Sequence, residues 1–262
     1  MHRIDFQLED FMTLSDGILQ SHLKRPFRYV ESVVSTNDLA KIWLDEGAPD
    51  GAAVIANEQV RGRGRQGRHW HTPPHAALAL SVILRPPVPY FSRVSLIGAL
   101  SVYDLAEQVG CADIGIKWPN DVQIHGRKVG GILPEAVWKN DEPVGVVLGI
   151  GVNVRVDFSQ TALKDAAISL ESATHRRLNR AELTACLLER VDLWYRQIAS
   201  DALFITWKHR LNMLGRRIKA EGVAGLAFDV RPDGSLLVRD DFARIQSVVA
   251  GDIFVVNHSE DD

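Results

Sequence analysis

Apolar residues recur at roughly helical spacing at Phe6, Leu8, Phe11, Leu14, Ile18, Leu19 and Leu23, which predicts a short helical lead-in over residues 1–24. Residues 27–31 then read as a strand. Ser35-Thr36-Asn37-Asp38 supplies N-cap oxygens for a helix running to about Glu46, which Gly47-Ala-Pro-Asp-Gly51 ends. Residues 52–56 and 77–84 are apolar runs of strand length, the second stopped by Arg85-Pro86-Pro87. Over residues 91–109 small and apolar residues occupy most faces of a helical pattern, which predicts a helix buried on several sides.

The following block is strand-rich. Residues 114–117 and 122–124 flank Trp118-Pro119-Asn120-Asp121. His125-Gly126-Arg127 reads as a hairpin turn, and residues 129–137 and 144–150 as strands. Asn179, with Glu182 three positions on, starts a helix that carries Leu183, Leu187, Val191 and Tyr195 on one face; a second helix is expected over 201–214. After Gly215 the chain turns to short apolar runs at 217–220, 225–230, 235–238, 245–249 and 253–256, with Asp233-Gly234 as a hairpin signal. This texture predicts a small barrel-like module and a domain boundary at Gly215. Residues 259–262 read as a frayed acidic tail.

Composition narrows the function classes. With 46% apolar and 24% charged residues and a net charge of -3, the 262-residue chain can fill a core and is not of the disordered class. No apolar run reaches the ~18 residues of a membrane span. Residues 1–10 hold no uninterrupted apolar segment of the signal-peptide kind, so no secretory signal is expected. The two cysteines, Cys111 and Cys186, are too few for a disulfide framework or a cysteine zinc site, so a cytoplasmic protein with reduced thiols is expected. The acidic balance argues against a general nucleic-acid binder. One local asymmetry changes the picture: from Gln59 to Tyr103 there is no Asp or Glu, while Arg61, Arg63, Arg65, Arg68, Arg85 and Arg93 all fall there. That segment predicts a local anion site.

Four segments carry candidate chemistry. In Gln59-Val-Arg-Gly-Arg-Gly-Arg-Gln-Gly-Arg68, glycines let backbone N–H groups approach a ligand, and arginines offer forked donors to a carboxylate or phosphate. The letters fit neither the dinucleotide fingerprint nor the P-loop. A solvated basic loop, or an Arg-Gly segment touching RNA, is the competing reading. Lys117-Trp-Pro-Asn-Asp121 sets Asn120 and Asp121 at a strand end, suited to a ligand or a metal-bound phosphate, and equally to a plain Asx turn. Gly126-Arg-Lys-Val-Gly-Gly-Ile-Leu133 starts a strand with Lys128 and removes two side chains, for a close approach or for a β-bulge. Leu148-Gly-Ile-Gly-Val-Asn153 again sets glycines in an apolar run and ends on a lone Asn.

In their order, Ser35-Thr-Asn37, Glu58-Gln59 with Gly62-Arg-Gly-Arg-Gln-Gly-Arg68 and Trp70, Lys117-Trp-Pro-Asn-Asp121, Arg127-Lys-Val-Gly-Gly-Ile132 and Gly149-Ile-Gly-Val-Asn153 closely resemble the biotin protein ligase family. The resemblance covers about residues 27–170, and more loosely 215–256. It implies an α+β fold: a mixed β-sheet with flanking helices, like that of class II aminoacyl-tRNA synthetases, in residues 25–214, and a small C-terminal SH3-like β-barrel in residues 215–262. It implies an AMP-forming ligase with biotin and ATP as substrates and Mg²⁺ as the accompanying ion. Such an enzyme makes biotinyl-5′-adenylate and passes biotin to a lysine of a biotin carboxyl carrier domain of a biotin-dependent carboxylase. By the same resemblance Ser35, Thr36, Asn37, Gln59, Arg63, Gly64, Arg65, Lys128 and Gly131 bind biotin. Arg65, Arg68, Trp70, Asn120, Asp121 and Asn153 serve ATP and the adenylate, and Arg65, Lys128 and Asp121 are catalytic. Residues 63–65 belong to a loop that closes over the bound molecule.

Two departures stand out. Thr72-Pro73-Pro74-His75 occupies the place of the family's common Ser-Pro-Pro-Gly, and Pro134 falls inside a strand, predicting an edge or a bulge there. Bifunctional members carry an N-terminal helix-turn-helix of about sixty residues; with 34 residues before Ser35, no repressor function and no DNA partner are expected. Monomer and homodimer both stay open. A zinc reading of His69, His71 and His75 is disfavoured by the missing acidic or thiol partner. The rivals are a lipoate ligase or octanoyl transferase of related fold, a non-catalytic nucleic-acid-binding protein, and a silent biotin sensor.

Overall fold

The computed structural model describes residues 14–220, 222–249 and 251–256. Helix α1 (Asp16–His22), capped by Ser15, is the described part of the predicted lead-in; the remainder of that expectation lies outside the described residues. One mixed sheet then takes in β1 (Phe27–Val33), β2 (Ala53–Arg63), β3 (His69–Thr72), β4 (Ala77–Leu84), β5 (Ile114–Lys117), β6 (Asp121–Ile124), β7 (Arg127–Lys139) and β8 (Glu142–Asn153). The strand order is β1-β2-β4-β8-β7-β6-β5, with β3 added on β2. β1 and β2 are parallel, joined through helix α2 (Thr36–Asp45), and the neighbouring pairs are antiparallel.

Side-chain alternation along these strands decides what each face meets. Val146, Leu148, Ile150 and Val152 of β8, with Leu78, Leu80 and Val82 of β4, enter the main core, which helix α3 (Val94–Gln108) covers. Gly98 of α3 sits so close that an added Cβ would lie 2.8 Å from Ile132. Val54, Ile83 and Val147 point the other way and pack on Ala40 and Leu44 of α2. Farther along this second face β8 presents Gly149, Gly151 and Asn153, and there the sheet floors a cleft. Helices α4 (Leu170–Thr174), α5 (Arg180–Tyr195) and α6 (Asp201–His209) follow, and Asn179 caps α5 through its side chain, as its spacing to Glu182 predicts.

Several boundaries differ from the sequence reading. β2 continues seven residues past Ala56 into the Arg-Gly segment, because β3 pairs with it at Gly62 and Arg63 and supplies partners that low strand propensity does not anticipate. α3 starts at Val94, after a 3₁₀ turn over Val88–Arg93 where Pro87 and Pro89 restrict the entering backbone. α6 stops at His209, not near Leu214, because residues 210–212 add to the edge of β5: Ile116 N donates to Arg210 O (2.8 Å) and Asn212 N to Ile116 O (3.0 Å). Pro134 lies opposite Leu148 in β7, whose other neighbour β6 ends opposite Gly131. No strand asks for the missing N–H, so this is the edge solution; the bulge comes later, at Val137–Trp138.

His75 has φ +60°, the left-handed conformation that the family's glycine would adopt freely. Its N–H donates to Asn57 Oδ1 (3.1 Å), so the turn is held despite the side chain. We expect His75→Gly to raise unfolding free energy by about 0.5–1 kcal/mol in urea titrations, since relief of the left-handed penalty outweighs the unfolded-chain entropy that a glycine adds.

Beyond Gly215, β9 (Arg217–Ala220), β10 (Val223–Val230), β11 (Leu236–Arg239), β12 (Ile245–Val248) and β13 (Ile253–Val255) form an antiparallel sheet in the order β12-β11-β10-β9-β13. Among the described pairings β12 and β13 are its edges, so the observed element is a five-stranded sheet. Ile218, Leu236, Val238 and Ile253 continue the apolar core of Trp207, Leu211 and Met213. Trp118 Nε1 donates to Gly234 O (2.8 Å), pinning the Trp-Pro turn on the Asp233-Gly234 hairpin. Among the described residues no helix is long and apolar enough to cross a membrane.

Candidate active site

A cleft of about 610 Å³ opens on the second face of the large sheet, a volume typical of a small-molecule site. Every residue to which the family resemblance gives a binding or catalytic role lines it: Ser35, Thr36 and Asn37 from the start of α2, Gln59 from β2, Arg63, Gly64, Arg65 and Arg68 from the Arg-Gly segment, Trp70 from β3, Asn120 and Asp121 from the turn into β6, Lys128 and Gly131 from β7, and Asn153 from β8. One end is a closed polar cradle. Gln59 Oε1 accepts from Thr36 N (2.8 Å) and from Thr36 Oγ1 (3.1 Å), and Gln59 Nε2 donates to Thr72 Oγ1 (3.3 Å). The Ser81 hydroxyl donates to Asn37 Oδ1 (2.6 Å) and lies 2.8 Å from Thr36 Oγ1. Asn37 Nδ2 donates to Glu135 Oε2 (2.5 Å) and Leu133 O (3.2 Å). Such a network, buried and satisfied, holds its members in one orientation.

Mid-cleft, Lys128 Nζ lies 2.6 Å from Asp121 Oδ1 and 5.3 Å from the Trp70 ring centre. Asn120 Nδ2 donates to Ile132 O (2.7 Å), which leaves its Oδ1 facing Arg65 Nη1 at 3.4 Å. Two more arginines of the segment, Arg63 and Arg68, are anchored elsewhere. Arg63 makes a fork to Asp38 (2.8 and 2.5 Å), which pushes its pKa further up, and Arg68 Nη2 donates to Asp252 Oδ1 (2.7 Å) in the C-terminal sheet. At the far end Trp70 lies flat on glycines: Gly131 and Gly151 are cross-strand partners, and a Cβ on Gly151 would overlap the indole. The Trp70 Nε1 group is buried with no partner among the described residues. Asn153 Nδ2 donates to Lys128 O (3.3 Å) and Ile168 O (3.2 Å), so Oδ1 is its remaining polar atom.

The biotin/lipoate A/B protein ligase family model matches residues 29–153, which carry most of this cleft. The chain is 34% identical over 220 residues to a biotin–acetyl-CoA-carboxylase ligase of Mycobacterium tuberculosis, covering 78% of this chain and 79% of that one. The chain belongs to the biotin protein ligases. It is also 30% identical to the bifunctional ligase/repressor BirA of Bacillus subtilis, over 86% of this chain and 72% of that one. The biotin protein ligase of Aquifex aeolicus in complex with biotin and ATP superposes with a TM-score of 0.75 at 26% identity, covering 89% of this chain and 99% of that structure.

Against this family background, several residues of the site escaped the sequence reading. Ser81 and Glu135 do not line the cleft but hold Thr36 and Asn37 from behind; they lie inside strands, where nothing in a single sequence separates such a supporting group from an ordinary alternating polar residue. Phe158, Leu163, Ala166 and Ala167 close the Trp70 end from the segment after β8. They are held there because Lys128 N donates to Ala166 O (2.8 Å) and Ile168 N to Lys128 O (3.0 Å). Behind the cleft Arg180, 1% exposed, donates to Ala77 O (2.8 and 3.1 Å) and to Asn57 Oδ1 (2.9 Å), the acceptor that also holds His75 N. Burial pushes its pKa down to about 10, which leaves it a cation at neutral pH. Among the described residues no three His, Cys, Asp or Glu side chains converge as metal ligands.

Proposed function

We propose that this ligase uses the cleft in two steps. A biotin carboxylate oxygen attacks the α-phosphorus of ATP, forming biotinyl-5′-adenylate and releasing pyrophosphate. The amine of an acceptor lysine then attacks the acyl carbon, the amide forms and AMP leaves. The observation that carries this reading is the gathering of a satisfied polar cradle, a Lys128–Asp121 pair and a glycine-floored indole in one continuous cleft. Ser35, Thr36, Asn37 and Gln59 suit the ureido end of biotin, and Gly64 and Gly131 leave room beside it. Lys128 and Arg65 suit the converging carboxylate and phosphate oxygens, where preorganised donors stabilise developing charge. Trp70, with Phe158 and Leu163, suits the nucleotide base, and Asn153 Oδ1 is the polar atom there; Arg68 and Asn120 border the phosphates.

Mg²⁺ would enter with the phosphates of ATP. Asp121 is the carboxylate lining the cleft, which fits an ion held mostly by phosphate and water. In this reading Asp121 also orients or accepts a proton from the incoming lysine. The acceptor is a carrier domain of a biotin-dependent carboxylase, in line with the acetyl-CoA carboxylase in the mycobacterial relative's name. We read residues 215–262 as an SH3-like module, the protein as cytoplasmic and not a DNA binder, and a homodimer as compatible with the fold.

Biotin-dependent exchange of labelled pyrophosphate into ATP tests the first step, and labelling of a purified carrier domain the second; no exchange in the presence of Mg²⁺ would defeat the proposal. Arg65→Ala is expected to release free biotinyl-adenylate into solution several-fold faster, measured by chromatography of the filtrate. Retention equal to that of the unsubstituted chain would remove Arg65 from that role. The rival nucleic-acid reading needs a free basic loop, whereas Arg63 and Arg68 are each engaged with a carboxylate.

A further inference from the structure

Arg63 sits in the segment that borders the cleft, yet its guanidinium is spent elsewhere. Both terminal nitrogens donate to the Asp38 carboxylate in a fork, the geometry in which an arginine–carboxylate pair is strongest and most directional. Asp38 lies in the first turn of α2, one residue after Asn37 of the cradle. On the other side of Arg63, 3.8 Å from Nη2, is Glu135 of β7. That carboxylate accepts from Asn37 Nδ2 (2.5 Å) and pairs with Lys41 Nζ (2.7 Å). Two cations and two anions therefore balance around one cradle amide. By contrast, the neighbouring Arg65 meets only an amide oxygen at 3.4 Å, and Arg68 makes a single bond to its carboxylate.

We propose that Asp38 and Glu135 are positioning residues: through Arg63 they clamp the Arg-Gly flap (residues 61–70) onto α2 and tie its position to the orientation of Asn37 in the cradle. Arg63 then acts as the latch of the flap and not as a contact for the ligand's carboxylate, a division of labour that leaves Arg65 and Lys128 for the anions. The flap itself is built to move about this latch. Gln66 (φ +55°) and Gly67 (φ +72°) make a tight turn between β2 and β3, which two backbone bonds close, Gly64 N to Arg68 O (2.7 Å) and Arg68 N to Arg65 O (3.2 Å). Its three side-chain anchors reach α2, the Asn120 turn and the C-terminal sheet. Of these the Asp38 fork alone is continuous with the cradle. Asp38 and Arg63 are 40% and 38% exposed, so the latch is open to water and is weakened by salt.

The consequence for biotin retention rests on the function proposed above; the latch itself does not, and the two separate in the experiment. Amide hydrogen exchange is measured on the ligand-free full chain for peptides spanning residues 61–70, alongside biotin dissociation rates. Asp38→Asn is expected to speed flap exchange by about five- to tenfold while peptides from α3 and β8 are unchanged. Arg63→Gln should do the same, and the double variant should match the singles because both act on one contact. Glu135→Gln, which keeps an acceptor for Asn37 and drops the charge, should speed it less. Biotin should leave Asp38→Asn faster by a similar factor, with the KM for ATP unmoved, and 0.5 M salt should narrow the gap between variant and parent. Unchanged flap exchange in Asp38→Asn, or additive effects in the double variant, would overturn the latch. Faster exchange with unaltered biotin dissociation would overturn its link to the cradle. If the unsubstituted chain failed to bind biotin at all, the functional reading would fall, and exchange in the ligand-free protein would still judge the latch.

Discussion

Lys128→Ala is expected to slow biotin-dependent pyrophosphate exchange by roughly 10²–10³-fold, the loss of about 3–4 kcal/mol that follows removal of a donor from a developing anion. The fall should appear in kcat as much as in kcat/KM, because the interaction is stronger in the transition state than with bound substrates. The fold should tolerate the change. The Lys128 and Asp121 side chains are 32% and 25% exposed, so the carboxylate left behind remains in reach of water. The backbone bonds that Lys128 makes to Ala166 and Ile168 do not involve its side chain. An unfolding midpoint close to that of the parent, together with the lost exchange, would place the effect in the chemistry; near-parental exchange would remove Lys128 from the mechanism.

The second large effect is expected from Gly151→Ala. A single methyl there occupies the volume of the Trp70 indole, whose ring it would overlap, and it stands beside Gly131 on the neighbouring strand. The sheet at this point is central and fully paired, whereas Trp70 rides on a four-residue strand and is partly exposed, so the indole gives way first. Steady-state kinetics should then show the KM for ATP raised by at least about tenfold, equivalent to ~1.4 kcal/mol of binding. Biotin binding, read by titration, should change much less because the cradle is at the other end of the cleft. A loss of both affinities in parallel would mean that the substitution distorts the sheet, at the ~1–3 kcal/mol typical of overpacking, and would refute the assignment of this end to the nucleotide.

The two experiments also divide the cleft by how readable it was. Lys128 and the glycine pairs were visible as motifs, since a glycine in an apolar strand has few reasons to be there. What they were for was not visible, because Gly131 and Gly151 acquire a shared purpose only when β7 and β8 pair in register and Trp70 lies across them. Arg63 is the reverse case. Its letter suggested a ligand contact by resemblance, and the fold supplied it with Asp38 and Glu135, residues that carried no signal of their own. Element boundaries followed the same rule. Asn179 caps α5 as its local spacing requires, whereas β2 ran past its apolar stretch because the next strand paired with it, and α6 fell short of its own because the distant β5 offered backbone partners.

The amino-acid order by itself determined the periodicities: which stretches alternate, which turn every 3.6 residues, where glycine interrupts them, and the succession of motifs that marks the family. Those properties are local, set by backbone sterics and by the two-residue and 3.6-residue repeats of side chains along a chain. Tertiary structure alone decided which face of the sheet stays uncovered by helix, which arginines remain free for an anion, and that a histidine must hold the left-handed place of a glycine. Those outcomes depend on pairings between residues tens of positions apart, such as Arg63 with Asp38 and Gly131 with Gly151, and charge neutralisation or steric exclusion exists only once both partners are in place.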